Sequence, residues 1–473
     1  MNLIQLVVKN MRQRALSTWL TLLSVTLGVG LAVAIIVLGR ESNALFGQNS
    51  FGFDTLIGKK ASTLQLTINT IYHLDQSPGN IPFETYGRLL KGGDLYKFAR
   101  IAVPTVVGDT YQGVYRIVGT LPCLFGYAND GSGKLLPTEN VLEYKPGERY
   151  EIDQGRVFQP DKFEAILGSD IPKLTDLTLG SVFQATHGTA GAGQPADVHA
   201  EKWTVVGILK PTHTAADKVV YIALNSFYTI PAHGVGLRVQ HALRTGLGLP
   251  TVGGADATDT VTIDPDGTEH HANYDLTPDK RIKLHPDLSS ILSLSAILVD
   301  SRGGDSEMNI DYILKNDGSD VMACNPASVM RDFFNVFLKP SKEMLLLMCS
   351  LVTIVAAIGI LVSIYNSVSA RTREIAILRA LGATRGKIIA LICVEAALIA
   401  AVGGVLGIVV GHLISFGGSE FAYEQFGQRL HWWQPDLSEP AYLAGVIVLA
   451  LLAGLVPALK AYRTPVATNL VAA

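Results

Sequence analysis

The apolar residues of this chain are concentrated in four long runs instead of being spread evenly. The runs cover residues 16–38, 343–366, 388–414 and 441–459. Each is long enough to cross a hydrocarbon core of roughly 30 Å at about 1.5 Å per residue. In lipid such a segment must be a helix, because no water is present to satisfy its backbone. We therefore predict four transmembrane helices, called span one to span four.

The first run has the position of a secretory signal peptide but not its pattern. Its apolar stretch exceeds the roughly 7–15 residues of a signal peptide, and no small-residue cleavage site follows at residues 39–45. We expect it to remain as an uncleaved anchor.

The long interval between spans one and two, residues 39–342, has the pattern of a folded domain. Short runs of Val, Ile, Thr and aromatic residues, bounded by Gly, Pro and Asp, predict strands; they are residues 64–68, 114–118, 165–167, 182–185, 204–209, 219–223 and 297–299. Helices are predicted at 83–91, 309–316 and 326–338, and loops at 186–199 and 246–279. The predicted fold is an α-helical membrane protein with four transmembrane helices and a large α+β domain inserted between the first and second.

Lysine and arginine near the ends of the spans predict the orientation. Basic residues precede span one, follow span four and crowd residues 367–387, whereas residues 415–440 contain only Arg429 against four carboxylates. Both termini, residues 1–15 and 460–473, and the 367–387 loop should therefore lie in the cytoplasm. Residues 39–342 should lie outside, and Trp432 and Trp433 suit a membrane interface.

Composition sharpens this picture. The 473 residues are 48% hydrophobic and 17% charged, with a mean hydropathy of +0.30 and a net charge of −3. These values exclude a disordered chain and give no basic field of the kind that nucleic-acid binders use. Two of the four cysteines, Cys123 and Cys324, lie in the external part. An oxidising compartment permits a disulfide between them; the alternative is two buried thiols.

Two segments beside the membrane have helical periodicity. Residues 1–15 are apolar on one side and polar on the other, which suits a helix in the cytoplasmic interface, although a plain basic flank is the alternative. The loop at 369–387 reads SARTREIAILRALGATRGK. Ile375, Leu378 and Leu381 share one helical face, and Gly382 stands where a helix would end, before a capping Thr384.

This second segment could dock into a groove on a cytoplasmic partner, with apolar residues at its centre and charges at its rim. The alternative is a loop that only sets topology. The candidate docking residues are Arg371, Arg373, Glu374, Ile375, Leu378, Arg379, Leu381 and Gly382.

Span three contains two further features. Glu395 is a carboxylate at a depth where it should face protein or water, either as a functional polar contact between spans or as a satisfied structural residue. Gly403, Gly407 and Gly411 repeat every four residues and let another helix approach closely. That helix could belong to a second subunit or to the same chain.

Most histidines lie outside the spans, and His270 and His271 stand near several carboxylates. They are the best candidates for a metal site, but no spacing matches a strong metal-binding template. We therefore predict no metal and treat them as solvated loop residues.

At this point the sequence resembles a known family. The string ARTREIAILRALGATRGKII, the following span with Glu395 and GGVLGIVVG, and the plan of one span, a large domain and three spans resemble the permeases of the FtsX/MacB superfamily of ABC transporters. The strings GRVF, AILGSDIPKL, LGSVF and WTVVGILKPTHTAADKVVYIAL resemble the periplasmic domain of that superfamily.

The resemblance implies an inner-membrane permease of the mechanotransmission (type VII) class, with its large domain in the periplasm. The candidate docking residues would then couple it to a separate cytoplasmic ABC ATPase, which would bind ATP and Mg²⁺, while this chain has no catalytic residues or cofactor of its own. A Walker-like string at 128–135 lacks the first glycine and the hydroxyl residue of a true phosphate-binding loop. The partners implied are an ATPase dimer, a second permease copy, membrane lipid, and a periplasmic adaptor or substrate-binding protein, but no nucleic acid.

Several functions remain open within this class. They are efflux of a substrate, extraction of a lipoprotein or lipid from the membrane, and FtsX-like signalling to a periplasmic partner. An alternative from another class is a membrane-anchored periplasmic metal-dependent enzyme.

Overall fold

The structure, a computed structural model, describes residues 7, 9, 11–12, 15–46, 51–129, 134–188, 198–228, 230, 261–263, 269–271, 292–380, 382–426 and 430–463. The chain divides into two compact units. The first, called the helix unit, comprises Met1–Phe46, Phe334–Glu424 and Arg429–Ala473. The second, called the sheet unit, comprises Gly47–Phe333 and Gln425–Gln428.

The helix unit contains the four predicted spans as long helices. They are Ala15–Phe46, Lys339–Ala370, Arg385–Phe426 and Ser438–Arg463. Four stretches are long and apolar enough to cross a membrane: Ala15–Asn43, Pro326–Ala370, Arg385–Tyr423 and Ser438–Lys460. The predicted fold class is confirmed, with four apolar helices and a large α/β domain between the first and the second.

A shorter helix, Thr372–Ala380, joins spans two and three and is called the connecting helix. At the N-terminus, the described residues Val7, Lys9, Met11 and Arg12 are helical. The rest of residues 1–14 lies outside the described residues, as do residues 464–473.

The four spans share one apolar core. It is built from small and β-branched residues of every span, among them Val29, Ala356, Ala396 and Ala450. Large apolar side chains such as Leu20, Leu347 and Leu452 are exposed instead. This inside-out distribution is what a helix bundle in lipid requires, because lipid solvates large apolar side chains as well as the protein interior does.

The sheet unit is built from many strands and a few short helices. Its strands are β1 Thr55–Lys59, β2 Ile81–Pro82, β3 Ala99–Tyr111, β4 Tyr115–Thr120, β5 Tyr127–Asn129, β6 Leu135–Pro137, β7 Glu143–Lys145, β8 Glu148–Arg149, β9 Ile152–Gly155, β10 Glu164–Leu167, β11 Val182–His187, β12 Val198–Leu209, β13 Val220–Ala223, β14 Val261–Ile263, β15 Glu269–His271, β16 Ser293–Leu294, β17 Ala296–Ser301 and β18 Val321–Cys324. Its helices are Thr63–Ile71, Glu84–Leu89, Ile171–Leu174, Leu224–Tyr228, Ser306–Asn316 and Pro326–Phe333.

The main sheet has the order β11-β12-β10-β13-β4-β3-β17-β1-β18, and β9 is added beside β12. The far end of β3 also pairs with β11, where Thr110 stands opposite Thr186. The path β3-β4-β13-β10-β12-β11 therefore closes on itself. The long strand β3 makes this closure possible, because its first half pairs with β17 and its end pairs with β11. Its register with β4 shifts between these two parts, at Val107 and Thr110.

Both faces of the sheet are covered. Successive strand residues point to opposite faces, so Ile57 and Leu167 join one apolar cluster while Leu56 and Ile166 join another. The strand runs predicted at 114–118, 165–167, 182–185, 204–209, 219–223 and 297–299 are confirmed, as are the predicted helices.

One strand prediction was wrong. Residues 64–68 belong to the helix Thr63–Ile71, because the Ser62 side chain accepts a hydrogen bond from the Gln65 backbone N–H and caps the helix start. Both loop predictions were also incomplete. Residues 186–199 include the end of β11 and the start of β12, and residues 246–279 contain the antiparallel pair β14 and β15.

Candidate functional site

The connecting helix has well-defined ends. It follows span two after a single residue, Arg371, and ends at Ala380. Gly382 then has a left-handed backbone with φ of 98°, which glycine adopts without strain. The Thr384 hydroxyl accepts a hydrogen bond from the Lys387 N–H at the start of span three, at 3.4 Å. The predicted stop and cap signals are therefore confirmed.

The connecting helix is anchored to the bundle by one face. Ile375 and Ala376 are buried, at 8% and 2% exposure. Ile375 packs in the same core as Val368 of span two and Ile388 of span three. Ile375, one of the candidate docking residues, therefore helps to hold the two spans together, and its part in docking stays a prediction.

The opposite face is exposed. Arg373 and Glu374 are exposed, and Ile377 is 43% exposed between them and the end of the helix. Ile377 was missed, although its position four residues after Arg373 places both on one face. The Leu378 side chain and Leu381 lie outside the described residues.

Charges and tyrosines gather at this same end of the bundle. Arg371 Nε lies 4.0 Å from Glu374 Oε2, and the Arg379 side chain is half-buried. The Arg385 guanidinium lies over the Tyr462 ring at 4.9 Å, and Lys460 Nζ donates to the Tyr365 hydroxyl. These contacts tie the ends of spans two, three and four beside the connecting helix.

Glu395 of span three is buried, at 9% exposure. It lies within the run Ile392–Ala396–Ile399 that packs in the bundle core. Its side chain takes part in a polar or electrostatic interaction. A buried, engaged carboxylate agrees with both interpretations of Glu395 given by the sequence, which remain open.

The glycine ridge of span three packs against span one of the same chain. A Cβ atom added at Gly403 would stand 3.0 Å from Val25 Cβ, and one added at Gly407 would stand 2.7 Å from Val29 Cβ. One added at Gly411 would stand 2.7 Å from the backbone oxygen of Gly30. Of the two alternatives for this ridge, the structure has the contact within one chain.

The opposite end of the bundle holds a polar cluster that the sequence did not indicate. His412 Nδ1 donates to the Trp432 backbone oxygen at 2.6 Å, and His412 Nε2 lies 3.1 Å from Glu439 Oε2. The Glu41 carboxylate accepts the His431 N–H at 2.8 Å. The short segment between spans three and four is thereby fastened to spans one, three and four.

The cysteines of the sheet unit are free thiols. Cys123 follows β4 and Cys324 ends β18, and three strands lie between β4 and β18. At roughly 4.8 Å per strand this separation is about 19 Å, whereas a disulfide needs Cα atoms within about 7 Å. Burial raises the pKa of both thiols to about 12, and the disulfide considered from the sequence is not formed.

The histidines singled out by the sequence lie on β15, where His270 is paired with Thr262 and His271 with Val261. Their side chains lie outside the described residues. The structure instead brings His187 and His199 to the carboxylate of Asp109. This cluster was missed because its members come from three strands that are distant in the sequence.

Comparison with known proteins adds to these observations. Residues 18–252 match the MacB-like periplasmic core domain, and residues 346–466 match the FtsX-like permease C-terminal family. The uncharacterized ABC transporter permease YknZ of Bacillus subtilis is 32% identical over 113 residues, which are 23% of this chain and 26% of that protein.

Two relatives carry a more specific name. The macrolide export ATP-binding/permease protein MacB of Chromobacterium violaceum is 33% identical over 113 residues, and that of Nitrobacter winogradskyi is 34% identical over 110 residues. Each match covers 23% of this chain and 16% of the relative. The chain thus matches about a quarter or less of the length of these relatives. The two family matches follow one another along the chain, the periplasmic core domain first and the permease domain second. The chain belongs to the ABC transporter permeases of the MacB/FtsX type.

Proposed function

We propose that this permease converts ATP hydrolysis by a separate cytoplasmic ABC ATPase into conformational work of its sheet unit. The chain would lie in the inner membrane with both termini and the connecting helix in the cytoplasm and the sheet unit in the periplasm. Two copies would pair with two ATPase subunits, which bind ATP and Mg²⁺. The observation that carries this proposal is the connecting helix, which is anchored by one face and exposed by the other.

The exposed face of the connecting helix has the chemistry of a docking site. Ile377 offers an apolar contact, and Arg373 and Glu374 offer charges of both signs beside it. A partner with a groove of complementary charge could bind such a helix. An ABC ATPase is the partner that the family assignment favours.

The buried face makes the helix a means of transmission. A force on the exposed face cannot move the helix alone, because Ile375 and Ala376 are packed in the bundle core. The helix is joined to span two through Arg371 alone and to span three through the capped turn at Thr384. Motion of the docked helix would therefore pass to both spans.

The bundle interior supports mechanical action over conduction through one chain. In the described part of the spans, the core is mainly Val, Ala and Ile with a few buried polar residues such as Thr353 and Glu395, and spans one and three approach to backbone contact. A hydrophilic conduit needs polar groups or charged rings along its length. The substrate would then be moved by the external domain and not through the four helices.

The distribution of charge supports the orientation. Arg371, Arg373, Arg385, Lys387 and Lys460 stand at the end of the bundle that carries the connecting helix. The other end carries the carboxylates Glu41, Glu343 and Glu439 against Arg40, Lys339 and Lys342, so it has no such excess of basic residues. An excess of Lys and Arg marks the cytoplasmic end of membrane proteins.

Three functions compete for the external domain. The relatives named for macrolide export favour efflux, and we propose export or extraction of a substrate from the membrane or periplasm. Extraction of a lipoprotein or lipid, and signalling to a periplasmic partner, are the competing functions. Copurification with an adaptor, a lipoprotein or a cell-wall enzyme would distinguish these three.

Co-expression with the ABC ATPase encoded nearest to its gene tests the proposal. We expect a stable complex whose ATPase rate in lipid nanodiscs exceeds that of the ATPase alone. Ile377→Glu should abolish the stimulation and weaken the complex, because it places a charge at the centre of the docking face. Val114→Glu is the matched control, since Val114 is 71% exposed in the sheet unit.

Two results would overturn the proposal. One is a folded permease that forms no complex with the ATPase under any nucleotide condition. The other is an Ile377→Glu variant that is stimulated as strongly as the Val114→Glu control.

A further inference from the structure

The closure of the strand path brings three metal-binding side chains together. The end of β11 pairs with β3 so that His187 stands opposite Asp109. The Gly188 N–H donates to the Gly108 backbone oxygen at 3.1 Å, and the Thr110 hydroxyl donates to the Gly188 oxygen at 2.5 Å. His199 reaches the same place from β12, the other neighbour of β11.

The three side chains converge on one carboxylate oxygen. His199 Nε2 lies 3.2 Å from Asp109 Oδ1, and His187 Nδ1 lies 3.4 Å from the same atom. One ligand atom from each residue lies within 4.8 Å of the other two. Asp109 and His199 are almost fully buried, at 0% and 2% side-chain exposure, whereas His187 is 50% exposed.

These separations fit a tetrahedral metal ion. Zinc binds imidazole nitrogen and carboxylate oxygen at about 2.1 Å, so two ligand atoms of a tetrahedral site stand about 3.4 Å apart. The two separations at Asp109 Oδ1 already have this value within 0.2 Å. A set of two histidines and one carboxylate that leaves a fourth position open is a common zinc arrangement.

The surroundings favour a cation and allow it to enter. Glu201 lies two residues after His199 on β12 and is also buried. It adds a second carboxylate to the local field. The half-exposed His187 gives solvent access to an otherwise buried site.

We propose that Asp109, His187 and His199 bind a divalent transition metal ion, for which Zn²⁺ is the best fit. The ion crosslinks β3, β11 and β12 where the strand path closes, and so stabilises that closure. This site is independent of the connecting helix, so the two proposals stand or fall separately. Without a metal, Asp109 Oδ1 accepts a hydrogen bond from His199 Nε2 and lies 3.4 Å from His187 Nδ1. The test must exclude this metal-free arrangement.

The test uses the full chain, purified in detergent and stripped with a chelator. Titration calorimetry with ZnCl₂ should show one ion bound per chain, and Zn²⁺ should raise the midpoint of thermal unfolding. Co²⁺ used as a spectroscopic probe should give the visible absorption of a tetrahedral site. His187→Ala and Asp109→Asn should each weaken Zn²⁺ binding at least about tenfold.

The controls separate loss of a ligand from loss of the fold. His187 is half exposed, so the metal-free His187→Ala variant should keep the circular dichroism of the parent. His213→Asn removes an exposed histidine with a left-handed backbone, a conformation that asparagine tolerates, and should bind as the parent does. Zn²⁺ binding that is absent from the parent, or equal in the parent and in both ligand variants, would overturn the proposal.

Discussion

The helix unit and the sheet unit fill their interiors in opposite ways. In the sheet unit the largest fully buried side chain is that of Trp203, which packs against Phe163 and Phe183 with ring centroids 5.5 and 6.1 Å away. In the helix unit, spans one and three meet instead at a residue with no side chain, because Gly407 lies against Val29 and the Thr26 backbone oxygen.

The difference follows from the solvent that each unit excludes. Removing a large aromatic side chain from water is strongly favourable, so the sheet unit gains most from large residues. Lipid is as apolar as a leucine side chain, so a membrane helix gains little by burying one. Close approach of backbones, which small residues allow, then gives the attraction. Four expected effects, measured with seven substitutions, test this comparison.

The largest effect is expected from Trp203→Ala. The substitution removes the buried ring and leaves a cavity, so we expect the sheet unit to lose about 4 kcal/mol of its free energy of unfolding. Hydrogen exchange of the full chain in detergent should show faster exchange in β10, β11 and β12. Exchange in the four spans should be unchanged.

A matched variant separates packing from hydrogen bonding at this position. The Trp203 Nε1–H donates to the Ser226 hydroxyl at 2.9 Å. Ser226→Ala keeps the ring but leaves this donor without that partner, at a cost of about 1–2 kcal/mol. If Ser226→Ala were as damaging as Trp203→Ala, aromatic burial would not dominate the sheet unit.

The next effect is expected from Gly407→Leu. A Cβ there would stand 2.7 Å from Val29 Cβ and 2.9 Å from the Thr26 oxygen, so spans one and three must separate. We expect a loss of about 3 kcal/mol, measured as the detergent concentration at which the bundle unfolds.

Gly417→Leu is the control for that variant. Gly417 lies on the same helix, but no atom lies within 4 Å of its added Cβ. The control should unfold at the parent concentration. Equal damage from both leucines would mean that helix propensity, and not the contact with span one, governs stability.

The third expected effect is a loss of stability of the sheet unit at low pH. Burial and, to a smaller extent, the charge of Arg116 together lower the pKa of His73 from 6.5 to about 3. The unfolded chain takes up a proton below pH 6.5, while the folded chain stays neutral to about pH 3. This contribution to stability is therefore complete above pH 6.5 and is lost progressively as the pH falls.

The expected loss between pH 6.5 and pH 4.5 is about 2 kcal/mol for the sheet unit. His73→Asn should remove this dependence, since asparagine does not titrate and tolerates the φ of 54° at this position. Thermal unfolding followed through tryptophan fluorescence, in which Trp203 reports on the sheet unit, measures it. An unchanged acid profile in the variant would show that another group is responsible.

The contrast between the two units also explains which elements could be predicted from the sequence. The four spans were predictable because lipid imposes a single requirement, a long apolar run. Many strands were predictable too, because short runs of Val, Ile, Thr and aromatic residues between turn residues are a local pattern. Strand β3 escaped prediction although it is central to the sheet, because Pro104 and Gly108 interrupt its pattern. The structure accommodates both residues because β3 pairs with β17 and β4, and these pairings cannot be inferred from the residues of β3 alone.

The candidate sites show the same limit. Gly382 and Thr384 marked the ends of helices correctly, because capping depends on neighbouring residues. Which face of the connecting helix is buried depends on Ile388 and Val368 in other helices, so the spacing of Ile375 along the chain could not show that it packs in the bundle core. The Asp109, His187 and His199 cluster depends on a strand pairing between β3 and β11, and no local spacing could reveal it.

The smallest effect is expected from removing one threonine hydroxyl in each of the two units. The Thr26 hydroxyl of span one donates to the Gly403 oxygen at 3.2 Å, and the Thr120 hydroxyl of β4 donates to the Pro104 oxygen at 2.9 Å. Threonine to valine keeps the shape in each case. We expect about 0.6 kcal/mol for Thr26→Val, because the unfolded helices in lipid also find partners, and about 1 kcal/mol for Thr120→Val.

Hydrogen exchange near each site would measure both losses in the same preparation. Close approach of the backbones, and not the hydroxyl, should hold span three against span one. A Thr26→Val loss as large as that of Gly407→Leu would contradict this, since it would make the hydrogen bond and not the glycine ridge the main attraction between the two spans.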